Sequence, residues 1–159
     1  MGHRAVLQSL TDIAKDRGAR SMVLSFWPHP RAVLQQDAQK FRLLTSLDEK
    51  KEIMRNLGID TFEIIPFTRD FSNISFKDFF RDYLVKEFGV KILVAGYDHR
   101  LGCDGAKNRE HMQSEARSSG FEIIRVPQYV SEAGEHISST KIRAALSAGS
   151  VETANRWLG

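Results

Sequence analysis

The sequence predicts an α/β fold: a parallel sheet with helices on both faces. Three observations lead there. Four apolar runs of strand length, "SMVLSF", "TFEIIPF", "KILVAG" and "FEIIRV", are spread along the chain. Segments of helical periodicity lie between them, and strands alternating with helices imply parallel pairing through right-handed crossovers. No linker or internal repeat divides the 159 residues, a length that suits one domain with a buried core.

Composition narrows the class further. Hydrophobic residues at 42% and charged residues at 27% exclude a disordered chain and a fibrous repeat. The net charge of +3, from 23 basic and 20 acidic residues, is too small and too dispersed to require a nucleic acid or a membrane surface, but it is compatible with a local anionic ligand. Cys103 is the only cysteine, so no internal disulfide forms. With neither a bilayer-length apolar run nor a signal-like N-terminus, the expected location is the cytoplasm. Asn73-Ile74-Ser75 fits the glycosylation pattern, which has no consequence there.

The elements follow in order. Val6, Leu7, Leu10, Ile13 and Ala14 recur at helical spacing and Gly18 follows as a stop, which predicts a helix over 3–17. The run 21–26 is the first strand and ends at Pro28. Ser46-Leu47-Asp48-Glu49 forms a capping box, and its helix runs to Gly58. After the strand "TFEIIPF", Ser75 and Asp78 make a weaker version of the same start. Phe76, Phe79, Phe80, Tyr83 and Leu84 then form an aromatic stripe that closes at Gly89, at the spacing of a buried helix face. Strands over 91–96 and 121–126 complete the set. Parallel sheets bind ligands at the carboxyl ends of their strands, so chemistry belongs in the strand-to-helix loops and at helix N-termini.

Four stretches meet that condition. In "HISSTKIR" a single hydroxyl suffices as N-cap, so Ser138, Ser139 and Thr140 supply more hydroxyls than a cap requires. With the helix dipole and Arg143 three residues beyond Thr140, they make an anion pocket, to which Lys141 adds charge or from which it faces solvent. Gly2-His3 opens the first helix and sets an imidazole at another N-terminus, as a phosphate donor or a plain solvated residue. In "SFWPHP", Pro28 and Pro30 stiffen the loop around His29, either as a rigid turn or as a wall against a flat ligand, and Trp27 is equally open to packing. In "GYDHRLG", Gly96 and Gly102 flank Asp98, His99 and Arg100, a polar cluster at a strand end. Cys103, His99 and His111 lack a zinc-ligand spacing, and neither a Walker-type loop nor a G-x-G-x-x-G fingerprint occurs.

Taken together these motifs carry a resemblance. "ISSTKIRAAL" resembles the ISSTxxR signature of the nucleotidylyltransferase superfamily, and Gly2-His3 the second half of its HxGH motif. With "SFWPHP", "LLTSLDEKKEIMRNLGID", "PFTRDFSNIS", "GYDHRLG" and "GSVETANRWLG", the whole chain resembles the FMN adenylyltransferase module of prokaryotic bifunctional riboflavin kinase/FAD synthetases. The resemblance implies a Rossmann-like α/β domain over 1–159 that transfers AMP from ATP to FMN, giving FAD and pyrophosphate. It implies His3 and Arg143 as catalytic residues and Gly2, His3, Gly96, Asp98, Ser139, Thr140 and Arg143 as the ATP side. The flavin side would be Phe26, Pro28, His29, Pro30, Asp98, Arg100 and Leu101, the last standing where relatives often have phenylalanine. Magnesium would accompany ATP with few dedicated protein ligands.

The family pattern sets a strand and Gly-x-Phe-Asp-Gly-x-His ahead of the Gly-His pair, whereas this sequence opens at Met1-Gly2-His3. The expectation is therefore a domain incomplete at the N-terminus, its sheet lacking the first strand, with the riboflavin kinase domain absent here and expected in the full-length protein. The competing expectations are a non-catalytic flavin- or nucleotide-binding fragment, and a sister nucleotidylyltransferase with another phosphorylated acceptor.

Overall fold

The computed structural model describes residues 2–34, 42–97, 99, 102–103, 109–118, 120–127 and 137–158. Along the chain come α1 (Gly2–Asp16), β1 (Met22–Trp27), α2 (Pro30–Leu34), α3 (Leu47–Asn56), β2 (Thr61–Pro66), α4 (Arg69–Ser72) and α5 (Phe76–Asp78). The last continues as a π-helix over Phe79–Glu87, followed by β3 (Ile92–Gly96), α6 (Arg109–Ser118), β4 (Glu122–Val126), α7 (Ser139–Ser147) and α8 (Val151–Leu158).

Local chemistry sets the ends of these elements. Gly18 adopts φ +60°, the left-handed conformation that lets the chain turn out of α1, and the Ala19 amide closes the turn on the Ala14 carbonyl at 2.8 Å. At α3 the capping box is complete: the Glu49 amide donates to Ser46 Oγ at 3.2 Å, and the Ser46 amide donates to Glu49 Oε2 at 2.6 Å. That amide, with the hydroxyl second, holds the Glu49 carboxyl below its usual range.

The strands pair in parallel, as their alternation with helices predicts. Ile92 to Gly96 lie opposite Glu122 to Val126 in register. In the other pair, the Thr61 amide donates to Ser21 O at 3.1 Å and the Phe67 amide to Trp27 O at 2.9 Å, so corresponding ends of β1 and β2 meet. The four strands form two two-stranded sheets, β1 with β2 and β3 with β4. A ladder needs facing rows of amides and carbonyls, and the described residues share no such row beyond these two pairs.

By its internal contacts the chain divides into two compact units. One comprises Met1–Leu24, Lys40–Glu63 and Pro127–Gly159; the other comprises Ser25–Gln39 and Ile64–Val126. The first buries Ala14, Ser21, Ile142 and Ala154, with α7 and α8 packed on each other. Ser21 holds a polar lock: its amide and its hydroxyl both donate to Asp60 Oδ2, at 2.7 and 2.8 Å, while the Asp60 amide donates back to Ser21 Oγ at 3.0 Å. The Ser21 amide first, then its hydroxyl, hold the Asp60 carboxyl below the usual carboxylate range.

The second unit is built on aromatic rings. The predicted stripe is buried as expected, with Phe76, Phe79, Phe80 and Leu84 each under 5% exposed. Its backbone, however, is π-helical rather than α-helical, with the Phe88 amide reaching back five residues to the Tyr83 carbonyl at 3.0 Å. A wider turn brings residues four apart closer to one line along the helix. Phe79 accordingly stacks on Tyr83 at 5.5 Å and Phe76 lies against Phe80 at 5.6 Å. Over this short segment periodicity alone does not separate the two helix types, since apolar residues four apart, as Phe79 with Tyr83 and Phe80 with Leu84, suit both.

Two outcomes test this account. Phe80→Ala removes a ring that is 3% exposed and meets Phe121 edge-on at 4.5 Å, so urea unfolding is expected to register a loss of about 3–5 kcal/mol. For Asp60 the depressed native pKa means stability that is present above the unfolded value and lost as pH falls through the folded one. Melting temperatures followed from neutral to acid pH should therefore fall below about pH 4 in the wild type, and that acid limb should be somewhat shallower in Asp60→Asn.

Candidate functional site

The first unit carries the α7 N-terminus. Ser138 is the N-cap: its hydroxyl accepts the Lys141 amide at 3.3 Å and its carbonyl accepts the Ile142 amide at 3.0 Å. One hydroxyl therefore does the capping. Ser139, half-buried, and Thr140, exposed, begin the helix, and among the described residues neither hydroxyl is engaged in a hydrogen bond. Ile142 is buried and anchors the helix, which turns Arg143 to its half-buried flank.

Arg143 has a contact that sequence spacing does not announce. Its Nε donates to the Arg42 carbonyl at 2.8 Å, across 101 residues of chain. A guanidinium is a planar fork, and fixing Nε on a main-chain carbonyl fixes the direction of its terminal nitrogens as well. The segment leading into the α3 capping box is thus a support for Arg143, and nothing in the sequence marks it. His3, exposed in the first turn of α1, lies in the same unit, and no hydrogen bond joins it to the α7 N-terminus among the described residues. Gly2 opens the same helix.

The remaining predicted positions belong to the second unit. Phe26, half-buried on β1, packs its ring against Phe67, Phe71 and Phe79 at 5.6, 5.5 and 6.3 Å, which makes it part of the aromatic core. Pro28 is exposed and follows a cis bond from Trp27, itself 40% exposed. Pro30 is the first residue of α2, where its missing amide costs nothing, and His29 Nδ1 accepts the Arg31 amide at 3.2 Å. The rigid-turn reading of "WPHP" thus has a physical basis in this short helix start. Gly96 ends β3, and its carbonyl accepts the His99 amide at 3.1 Å in a tight turn. Asp98, Arg100 and Leu101 lie outside the described residues.

Arg125 on β4 was not among the predicted site residues. A lone cation inside "EIIRV" was the available signal, and apolar counting passes over it. As to metals, no group of three His, Cys, Asp or Glu side chains among the described residues is arranged to hold an ion. An open groove of about 360 Å³ in the first unit is lined by residues including Gln8, Lys15, Ser21 and Asp60, and none of the predicted site residues borders it.

Comparison with known proteins adds a second line of observation. A family model described as FAD synthetase matches residues 1–141. A bifunctional riboflavin kinase/FMN adenylyltransferase of Listeria monocytogenes is 36% identical over 159 residues, covering 100% of this chain and 50% of the relative. The protein of the same description from Escherichia coli is 34% identical over 158 residues, covering 99% of this chain and 50% of its own length. The chain therefore spans about half the length of the curated relatives it matches. Among solved structures, one described as a macrolide-efflux protein from Streptococcus pneumoniae superposes with a TM-score of 0.85 at 28% identity, over 99% of this chain and 50% of that one. Among the described residues of this chain, no helix is long and apolar enough to cross a membrane.

The separation of cap from unengaged hydroxyls has a direct consequence. Ser138→Ala is expected to lower unfolding free energy by about 1 kcal/mol. Ser139→Ala and Thr140→Ala should each stay within about 0.5 kcal/mol of the wild type, by urea denaturation of the three variants side by side.

Proposed function

Because the chain belongs to the FAD synthetase family, we propose that it transfers the AMP moiety of ATP to FMN, giving FAD and pyrophosphate, with residues 1–159 as the FMN adenylyltransferase domain. The observation that carries this reading is the family match over residues 1–141, which takes in the α7 N-terminus where, among the described residues, Ser139 and Thr140 have no hydrogen-bond partner for their hydroxyls and Ser138 is the cap.

The chemistry asked of these residues is modest. An oxygen of the FMN phosphate attacks the α-phosphorus of ATP, the bond from that phosphorus to the bridging oxygen breaks, and pyrophosphate leaves with the electron pair. Catalysis is then positioning and stabilisation of charge on phosphate oxygens, with no covalent enzyme intermediate. In this reading the Ser139 and Thr140 hydroxyls and the free amides of the first α7 turn bind phosphate oxygens. Arg143, steadied through Nε by the Arg42 carbonyl, neutralises charge on the leaving pyrophosphate, and His3 donates to a phosphoryl oxygen. Gly2, Gly96 and Asp98 complete the nucleotide side. Pro28, His29, Pro30, Arg100 and Leu101 serve the flavin, with Phe26 shaping their side from the aromatic core.

Magnesium belongs to this reading as the companion of ATP. It would be held by phosphate oxygens and water, as is usual for a small hard cation that keeps several of its waters, and would offset charge on the phosphates. The relatives' names join FMN adenylyltransferase to riboflavin kinase, so a kinase domain is the partner proposed in the full-length protein. A cytoplasmic location goes with the same reading and with a sequence that has one cysteine.

The test is FAD formation from FMN, ATP and magnesium, followed by chromatography, in wild type and Arg143→Ala. The substitution is expected to lower kcat/KM for ATP by roughly a hundred- to a thousandfold while leaving FMN affinity in place. Unchanged turnover would remove Arg143 from the reaction. Ligand binding without FAD formation by the wild type would make the chain a binding module.

A further inference from the structure

Arg125 is a cation in an unusual position. It is the penultimate residue of the parallel strand β4, opposite Ala95, which is 3% exposed, and it is itself half-buried. Its stem runs toward α6, where Nη2 lies 3.9 Å from the sulfur of Met112, a residue only 1% exposed. The remaining contact is from Nη1 to the Gly96 carbonyl at 3.4 Å, near the limit for a hydrogen bond. Among the described residues no carboxylate lies within ion-pair distance of it.

A guanidinium has five donors, and a partly desolvated charge is costly without an anion or good acceptors. The contact with Gly96 does not discharge that requirement. The same carbonyl already takes the His99 amide at 3.1 Å, so the tight turn after β3 closes without Arg125. Nor does packing explain the residue, since a leucine or methionine at this position would bury against Met112 with no charge to compensate. What remains is location. Gly96 and Val126 are the last registered pair of β3 and β4, and the guanidinium sits at their carboxyl ends, the edge of a parallel sheet at which ligands bind.

We propose that Arg125 is a binding residue for a phosphate group, which it grips through its guanidinium fork at the carboxyl edge of β3 and β4. The inference rests on the reading above for the two sources of that phosphate, FMN and ATP. Its physical basis, an under-satisfied half-buried cation at a strand end, is independent of it. Arginine is suited to the task because its fork meets two phosphate oxygens at once and its charge persists at every working pH.

The experiment compares wild type with Arg125→Met, which keeps the stem and removes the charge, and Arg125→Lys, which keeps the charge and removes the fork. Dissociation constants are measured on the full chain for FMN, riboflavin, ATP and inorganic tripolyphosphate. Arg125→Met is expected to weaken a phosphate-bearing ligand by roughly ten- to a hundredfold, with Arg125→Lys in between and riboflavin unchanged. Loss confined to FMN assigns the flavin phosphate; loss confined to ATP and tripolyphosphate assigns the nucleotide. Unchanged affinity for all four ligands in folded Arg125→Met overturns the proposal, as does an equal loss for riboflavin and FMN. If Arg125→Met does not fold, the wild-type Arg125 Nε–H resonance decides: it moves on addition of FMN, ATP or tripolyphosphate, or the proposal fails. A wild type that makes no FAD but loses tripolyphosphate binding on Arg125→Met sinks the adenylyltransferase reading alone. One that makes FAD with an inert Arg125 sinks this inference alone.

Discussion

Phe80 meets Phe121 edge-to-face at 4.5 Å, both rings almost fully buried, and this contact ties the π-helix to the start of β4. Buried rings contribute by area and by the geometry of their quadrupoles, so the pair both stabilises and orients. From Phe121 the chain passes directly into β4, whose register against β3 fixes which side chains stand at the carboxyl edge. Shift that register by one residue and Arg125 would point to the opposite face. The position of a cation at a strand end thus depends on a packing contact four residues earlier.

The unusual helix belongs to the same constraint. Phe79 stacks on Tyr83, and Phe71 meets both rings and Phe26 within 6.0 Å, so the cluster binds β1, α4 and the π-helix through side chains alone. A π-helix is rare and mostly confined to a single turn, and this one runs over nine residues. Here it coincides with aromatic side chains four apart that pack ring on ring, and the packing favours the wider turn.

In the first unit the governing fact is a division of labour among neighbouring hydroxyls. Ser138 satisfies the helix, which leaves Ser139 and Thr140 with no structural duty among the described residues. A chain that needed only a helix start would need only Ser138. Arg143, one turn further on, is held by a main-chain carbonyl that no side-chain substitution at position 42 removes, so its support persists whatever residue stands there.

What the sequence determined by itself was local and periodic. The capping box at Ser46 and Glu49, the stop at Gly18, the four strands and the buried aromatic stripe all follow from side-chain chemistry within a few residues, and all stand where that chemistry puts them, whereas the choice of Ser138 as the cap among three hydroxyls is the structure's. The family was legible for the same reason, since its motifs are short and contiguous. Tertiary structure decided the rest. The hold of Arg42 on Arg143 spans 101 residues, the pairing of strands into two two-stranded sheets is a matter of facing ladders, and Phe26, in sequence the end of a strand, is seen to belong to the aromatic core only through its ring neighbours. Arg125 is the sharpest case: in sequence it is one charge in an apolar strand, and only the register of β4 on β3 puts that charge where an anion would meet it.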